Sequence, residues 1–377
     1  MNTAVIAGAG IGGLSAAIAL RKAGWRVRVL ERAPVPGEVG AGISLWPNAA
    51  RALAELGAGQ LLDHGTVQDG MGLRAPGGRW LFRSSAATGV SLVHRAELHR
   101  QLRDLLPAEV VVPGATVVDV VQDARSATAR YLVDGSEHAL TADVVIGADG
   151  LRSRTREAQW PAAPSPRYTG FTAWRGVTDE PFALTELSET WGRGADFGLT
   201  QLADGRVYWF GTSNAPEGAP SGDNHAEVLT RFGHWHDPIG AVIRATAPDS
   251  VLRHDVYQQP RPLPRFANDR VALLGDAAHA MTPNLGQGAC LALEDAVVLG
   301  AELAGADDVT LALQRYDAAR RPRTQRLSAL SDRMARLVQA ENPVVVALRS
   351  ALVAAIPARL GAANLTRNAR WTAPQIS

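Results

Sequence analysis

Cysteine and lysine are nearly missing from this 377-residue chain: Cys290 and Lys22 are the only examples. A single thiol cannot form an intrachain disulfide, a usage that fits a reducing cytoplasm. Neither sign of charge is in excess. The 38 basic and 37 acidic side chains leave a formal charge of +1, so the basic footprint of a nucleic-acid binder is absent. No apolar run approaches the ~20 residues of a membrane-spanning helix, and no basic leader with a cleavage site precedes the first strand pattern. The longest apolar stretch, Val344 to Ile356, carries Arg349 in its middle and reads as an amphipathic helix packed on the body. There is no Gly-x-Ser-x-Gly, which removes a nucleophile-elbow hydrolase. His234-Trp235-His236 has a metal-like spacing, but no further His, Cys or carboxylate cluster stands near it, and no metal site is expected. These absences leave a cytoplasmic globular enzyme as the expectation, in a chain long enough for two structural domains.

Residues 3–8 read as a buried strand, Ile11 to Gly24 as an alanine-rich helix stopped by glycine, and Val27 to Leu30 as a second strand. This strand–turn–helix–strand unit is near the ~30 residues expected of a strand–helix–strand motif. Residues 34–42 read as a loop and Pro47 to Leu56 as a helix with proline near its start. Met71 to Arg83 alternate about the Pro76-Gly77-Gly78 turn as a hairpin, and 95–106 form a short amphipathic helix. Strand patterns recur at 117–121, 129–133 and 143–148. The stretch 168–213 is rich in aromatic and β-branched residues, and from Leu285 the chain is mostly helical. The predicted organisation is α/β and interleaved. A Rossmann-type nucleotide domain takes 1–70, 95–164 and 265–340, a strand-rich second domain takes 71–94 and 165–264, and a helical extension occupies 341–377.

Three segments carry chemistry. Gly8-Ala9-Gly10-Ile11-Gly12-Gly13 joins strand to helix: Gly8 permits the tight turn, Gly10 lets backbone approach a pyrophosphate, and Gly13 lets helix and strand pack closely. Phosphates would rest on free N–H groups at the positive end of the helix dipole. Glu31 ends the second strand, where an acid accepts ribose hydroxyls. This fingerprint fits FAD or NAD equally. Residues 143–156 (DVVIGADGLRSRTR) run a strand into Asp149-Gly150. Residues 271–288 (VALLGDAAHAMTPNLGQG) run another into Gly275-Asp276, then a Pro- and Gly-rich turn that opens a helix. Taken singly, each is also an ordinary strand-end turn or helix cap.

In this order and spacing the three segments resemble the p-hydroxybenzoate hydroxylase-type flavin monooxygenases. The text around them (AGISLWPNAARALAELG at 41–57, YTGFTAWRGV at 168–177, ACLALEDAVVLG at 289–300) most resembles the branch of salicylate hydroxylase-like, urate hydroxylase-like and zeaxanthin epoxidase-like enzymes. The resemblance implies a non-covalent FAD, with Gly8, Gly10, Gly12 and Gly13 at its pyrophosphate and Glu31 and Arg32 at the adenosine ribose. Ser44 and Arg95 would contact the nucleotide moiety, and Val117 the adenine. Asp149 would lie at the cofactor face that nicotinamide must also approach, and Asp276 at ribityl or phosphate oxygens. Gly286, Gln287 and Gly288 would lie beneath the isoalloxazine, with Pro283 of the same turn as a catalytic candidate. Their N–H groups would face the negative charge of reduced flavin, as a helix N-terminus can. The resemblance further implies that NADH or NADPH reduces the flavin, that O2 then gives a C4a-hydroperoxide, and that a small aromatic or N-heterocyclic substrate is hydroxylated. No second Gly-x-Gly-x-x-Gly follows a strand downstream, so the reductant would bind transiently across the same groove. Alkene epoxidation and an O2-independent flavin reductase or dehydrogenase are the alternatives. The Trp-x-Trp-x-Ile-Pro segment of flavin halogenases is absent. Monomer and homodimer both stay open.

His279 is expected to make a structural hydrogen bond rather than do acid–base work, and Cys290 to be a small buried filler. The arginines between 315 and 336 are expected to line a solvated helical face. Substrate placement turns on the hairpin around Asp204-Gly205. A two-residue loop pairs Gln201 with Tyr208 and turns Asp196 to the other face. A three-residue loop, Ala203-Asp204-Gly205 with a bulge at the glycine, pairs Thr200 with Tyr208 and puts Gly198, Asp196, Phe210 and Thr212 on the same face. The longer loop is favoured, because Gly205 then takes the left-handed position and Gly198 leaves room for a substrate ring. On this reading Tyr208 orients the substrate and Asp196 accepts or polarises its proton. The bland alternative makes Asp196 a solvated strand end and Tyr208 a core aromatic.

Overall fold

The computed structural model describes residues 1–35, 42–67, 71–85, 89–184, 188–220, 222–356 and 367–377. Most of the loop read at 34–42, and 357–366 of the C-terminal extension, lie outside them. Strand Thr3–Ala7 pairs in parallel with Arg26–Glu31 on one side and Val144–Gly147 on the other. Val111–Pro113 extends the sheet beyond the first neighbour, and Val271–Leu273 with the antiparallel Ala267–Asn268 extends it beyond the second. Parallel strands covered on both faces need continuous apolar runs, which VVIG and VAL supply.

Among the described residues ten α-helices follow in chain order: α1 (Ile11–Lys22), α2 (Pro47–Glu55), α3 (Arg95–Asp104), α4 (Arg154–Gln159), α5 (Asn224–Phe232), α6 (Ile239–Arg244), α7 (Asp276–His279), α8 (Gly288–Leu303), α9 (Val309–Val338) and α10 (Pro343–Ala354). The alanine-rich α1 packs on α8. A Cβ on Gly300 would lie 2.7 Å from Ala19 Cβ, so small side chains set how closely the two helices approach.

A second, seven-stranded sheet runs in the order Leu252–Gln258, Arg167–Val177, Val207–Asn214, Ala195–Gln201, Ser188–Trp191, Met71–Arg74, Trp80–Ser84. Strand alternation sorts its side chains by face. Trp174, Phe197, Leu199, Val207 and Trp209 share a core with Val228 and Phe232 of α5 and Ile239, Val242 and Ile243 of α6. Phe197 and Trp209 stack at 5.5 Å. The strand-rich stretch 165–264 thus also contains two helices that its composition does not announce. Each of these helices is short and offers few apolar positions, and only the sheet completes their core. The opposite face carries Asp196, Thr200, Tyr208, Phe210, Thr212 and Arg175. A small antiparallel sheet of Gly42–Leu45, Ser91–His94 and Thr66–Val67 adjoins that face, and a meander at Thr116–Ala142 completes the fold. One expectation is reversed: α10 does not turn its apolar side inward, because its one buried residue is Arg349.

Candidate active site

The glycine turn is dictated by contact. Gly8 has φ +97°, and a Cβ there would sit 2.5 Å from Ala148 O; at Gly13 a Cβ would sit 1.9 Å from Gly8 O. Only glycine fits either place. Three bonds then hold the loop. Gly8 N–H donates to Leu30 O (2.8 Å), Ala9 N–H donates to Glu31 Oε2 (2.7 Å), and His99 Nε2 donates to Ala9 O (2.7 Å). The other oxygen of Glu31 accepts from Ala33 N–H at 2.8 Å, and Arg32 beside it is exposed. Nothing in the sequence around His99 marks it for this role. Gly10 stands at the N-cap of α1 with no side chain capping the helix. The first N–H groups of α1 are thus open to an anion, as a pyrophosphate requires. Ser44 lies on Gly42–Leu45, Arg95 opens α3, and Val117 is buried on Thr116–Gln122.

The two aspartate turns differ in how their carboxylates are used. Asp149 accepts from Ser153 Oγ, from Thr155 N–H (3.0 Å) and from Thr155 Oγ1 (3.1 Å), which closes the turn into α4. Arg156, 2% exposed, donates to Leu151 O (2.6 Å) and Ala277 O (2.8 Å), tying that turn to the second one. There Gly275 takes φ +57° and Asp276 is exposed while its neighbours are buried. Arg95 sits within the electrostatic reach of Asp276, Arg175 and Tyr208.

The third turn runs from Pro283 through Gly286 (φ +59°) to Gln287, the N-cap of α8, again with no capping side chain. A Cβ on Gly286 would come within 3.1 Å of Trp46 Nε1, a buried donor that has no partner among the described residues. An unpaired indole N–H and an uncapped helix start, side by side, suit an electron-rich ring such as reduced flavin. Below the turn, Asn48 Nδ2 donates to Gln287 Oε1 (3.0 Å) and Glu294 Oε1 (2.6 Å). Arg320 donates to Glu294 Oε2 (2.6 Å) and Asp295 Oδ1 (2.7 Å), and Arg323 to Glu294 Oε2 (2.7 Å). His279 Nε2 and Gly275 N–H both donate to Asp295 Oδ2, at 2.6 and 3.0 Å. His279 thus makes the structural bond expected of it. The arginine expectation needs correcting. Arg315 and Arg336 are solvated, but Arg320 is 1% exposed and neutralises two buried carboxylates. Burial opposes ionisation of Asp295 most strongly, yet His279, Arg320 and Gly275 N–H outweigh it and hold the group at about 2. Cys290 is fully buried, which pushes its thiol up to about 12.

On the sheet side, Thr200 pairs with Tyr208, Leu202 N–H donates to Arg206 O (2.8 Å), and Gly205 takes φ +84°. The loop is the three-residue one. The Tyr208 ring lies where a Cβ on Gly42 would touch it at 2.4 Å, and the Arg175 guanidinium stands close to its hydroxyl. Burial raises the phenol, with Arg175 opposing, so Tyr208 keeps its proton at neutral pH. His254 faces the same cluster; burial lowers its pKa, and Arg175 and Arg95 lower it further. Neither Arg175 nor His254 is marked by a motif, although the register on Phe210 and Ala173 places both on this face. Gly198 does leave room for a ring, but the ring is that of Phe210, at 2.2 Å from a would-be Cβ, and not a substrate's. Asp196 is no solvated strand end. It is 2% exposed, accepts from Thr212 Oγ1 and from Gln339 Nε2 (3.2 Å), and lies beside Glu189. Burial first, and the Glu189 charge second, raise it well above the usual carboxylate range. It stands four residues, ~13 Å, along the strand from the Thr200–Tyr208 pair. His236 bonds Thr190 Oγ1 (2.9 Å) and the Asp237 carbonyl (2.7 Å).

Known proteins share this architecture. A family model described as FAD binding domain matches residues 1–331. The chain is 38% identical to aurachin C monooxygenase/isomerase of Stigmatella aurantiaca, with 98% of each chain covered. It is 36% identical to an FAD-dependent urate hydroxylase of Klebsiella pneumoniae, covering 86% of this chain and 87% of that one. The crystal structure of Klebsiella pneumoniae HpxO complexed with FAD and uric acid superposes with a TM-score of 0.90 at 29% identity, over 98% of this chain and 96% of that one. Likeness that extends from the glycine turn through the whole fold leaves one assignment: the chain belongs to the FAD binding domain family and is an FAD-dependent monooxygenase.

Proposed function

We propose that the protein hydroxylates a small aromatic or N-heterocyclic ring at the expense of NADH or NADPH. The balance is ring–H + O2 + NAD(P)H + H⁺ giving ring–OH + H2O + NAD(P)⁺. Non-covalently bound FAD supplies the redox chemistry, accepting hydride and activating O2, while the protein supplies position and excludes water. One juxtaposition carries the reading. The Gly286 turn lies against Ser44 and Trp46, and Tyr208 lies against Gly42 of the same short strand. The N–H groups meant for the isoalloxazine and the phenol meant for the substrate therefore flank one strand.

In this proposal Gly8, Gly10, Gly12, Gly13, Glu31, Arg32, Ser44, Arg95, Val117 and Asp276 hold the nucleotide, and Gly286, Gln287 and Gly288 face the reacting ring, with Pro283 shaping their turn. Asp149 stiffens the groove that the nicotinamide crosses. Tyr208, protonated and backed by Arg175, orients the substrate oxygen. Asp196, buried beside Glu189 and ~13 Å along the strand from Tyr208, acts on the substrate's proton through its hydrogen bonds with Thr212 and Gln339. The segments 1–70, 95–164 and 265–340 form the cofactor domain, and 71–94 with 165–264 the substrate domain. A relative named for urate, itself an N-heterocycle, supports the ring class.

The test is a panel of phenols, N-heterocycles and isoprenoids, scored for accelerated NAD(P)H oxidation with matched hydroxylated product. Oxidation that yields only hydrogen peroxide with every ring, or that runs undiminished without O2, sinks the proposal.

A further inference from the structure

Helix α10 faces the wrong way for a core element. Val344, Val345, Leu348, Leu352 and the following Ile356 recur at about one face of a helix, and they are 73%, 43%, 59%, 61% and 43% exposed. The helix is held instead by its charged residue. Arg349 is buried and donates to Leu337 O (2.9 Å), Val338 O (2.8 Å) and Gly192 O (2.7 Å). The apolar surface continues onto Leu337, 39% exposed at the end of α9. An exposed stripe of this kind marks a surface that something else covers.

The charge around it selects the partner. Arg333 and Arg336 are exposed on the last turns of α9, and Arg83 is exposed on the strand Trp80–Ser84 that α10 touches. From Asn342 to Ile356 the chain carries no aspartate or glutamate, so Arg83, Arg333 and Arg336 set the charge of this corner. The carboxylates nearest the corner are engaged: Glu341 accepts from Asn214 Nδ2 (2.9 Å), and Asp332 pairs with Arg336 (2.6 Å). A twofold pairing of two copies through this face would set the arginine rim against itself. Twelve helical residues span ~18 Å, too short to cross a ~30 Å hydrocarbon layer, and no single helix among the described residues is long and apolar enough to do so. We propose that α10 docks the enzyme on an anionic lipid surface, lying in the headgroup layer with its valine and leucine stripe inserted and the arginines of the corner against the lipid phosphates.

The FAD-loaded enzyme can be floated with vesicles of phosphatidylcholine alone, or of phosphatidylcholine with about a third phosphatidylglycerol, at low and high salt. Flotation is expected with the anionic vesicles and should weaken as salt screens the arginines. Leu348→Ser with Leu352→Ser should reduce binding at least about tenfold with FAD content and NAD(P)H oxidation unchanged. Leu105→Ser, a change at an exposed leucine elsewhere, should float like the parent. A parent enzyme that stays out of the anionic vesicles at low salt overturns the proposal, as does a double variant that floats equally well. So does a parent dimer that sediments as a monomer once the two serines are in place, because a second copy then covers the face.

Discussion

Asp149 and Asp276 both end strands, yet they do different work. The first spends its carboxylate on Ser153 and Thr155, whereas Asp276 accepts no hydrogen bond from the protein among the described residues and is exposed beside Arg95. Asp276→Ala should therefore leave folding intact and weaken FAD binding about ten- to hundredfold, the value of a charged hydrogen bond of roughly 1.5–3 kcal/mol. Titration of apo-protein with FAD decides it, and an unchanged dissociation constant would mean the carboxylate does not touch the cofactor. The proposed substrate pair behaves differently. Burial raises both Tyr208 and Asp196 above their ordinary values, and Tyr208→Phe and Asp196→Asn remove or alter a hydrogen-bonding group while nearly preserving the side chain's size. Both variants should keep FAD and melting temperature while lowering product formed per NAD(P)H consumed. Wild-type coupling and wild-type substrate affinity in both would remove the pair from the active site.

Among the elements, α8 has two jobs: in the proposed site its start faces the flavin ring, and it carries the buried carboxylates Glu294 and Asp295. Asp295 is held at about 2 in the folded protein, against an ordinary value of 3.8. A depressed carboxylate contributes stability above its unfolded pKa and loses it as pH falls through the folded one. The His279–Asp295–Arg320 link should thus be intact at pH 5 and fail progressively between about pH 4 and pH 2. Acid titration of the parent against Asp295→Asn, followed by circular dichroism and released flavin, reads this out. The variant should start less stable and lose less across that window, and parallel curves would assign the acid transition to other groups. The helix also depends on its approach to α1. Gly300→Leu would place a side chain into Ala19, where even Cβ comes within 2.7 Å. Overpacking of this kind costs about 1–3 kcal/mol, so a lower melting temperature is expected, with FAD retained in whatever remains folded.

Taken as a whole, the molecule brings its seven-stranded sheet against the small three-stranded one at Gly42 and Tyr208. On the proposed function, occupancy of the substrate side is placed to influence how the flavin meets its reductant. The anaerobic rate of flavin reduction should rise at least about tenfold when the true substrate is added, about 1.4 kcal/mol in barrier. Stopped-flow absorbance would show equal rates if there is no such coupling. At this scale the division between sequence and structure is plain. Gly8, Gly13, Glu31 and Gly205 could be recognised in advance because each answers a local backbone demand: a left-handed φ, a contact that excludes Cβ, or an acid at a strand end. The loop length at Ala203–Gly205, and with it the face of Tyr208, followed from the same logic. By contrast, His99 on Ala9 is a contact between residues 90 positions apart, and Arg320 meets Glu294 and Asp295 from a different helix. Arg175 joins Tyr208 from a neighbouring strand, α5 and α6 find their core on a remote sheet, and α10 turns outward because Arg349 finds three carbonyls inside. Local sequence determined the turns and the cofactor class. Tertiary structure alone decided which charges are buried and which apolar face is left uncovered, since burial depends on the element that packs against a residue and not on the residue's own neighbours in the chain.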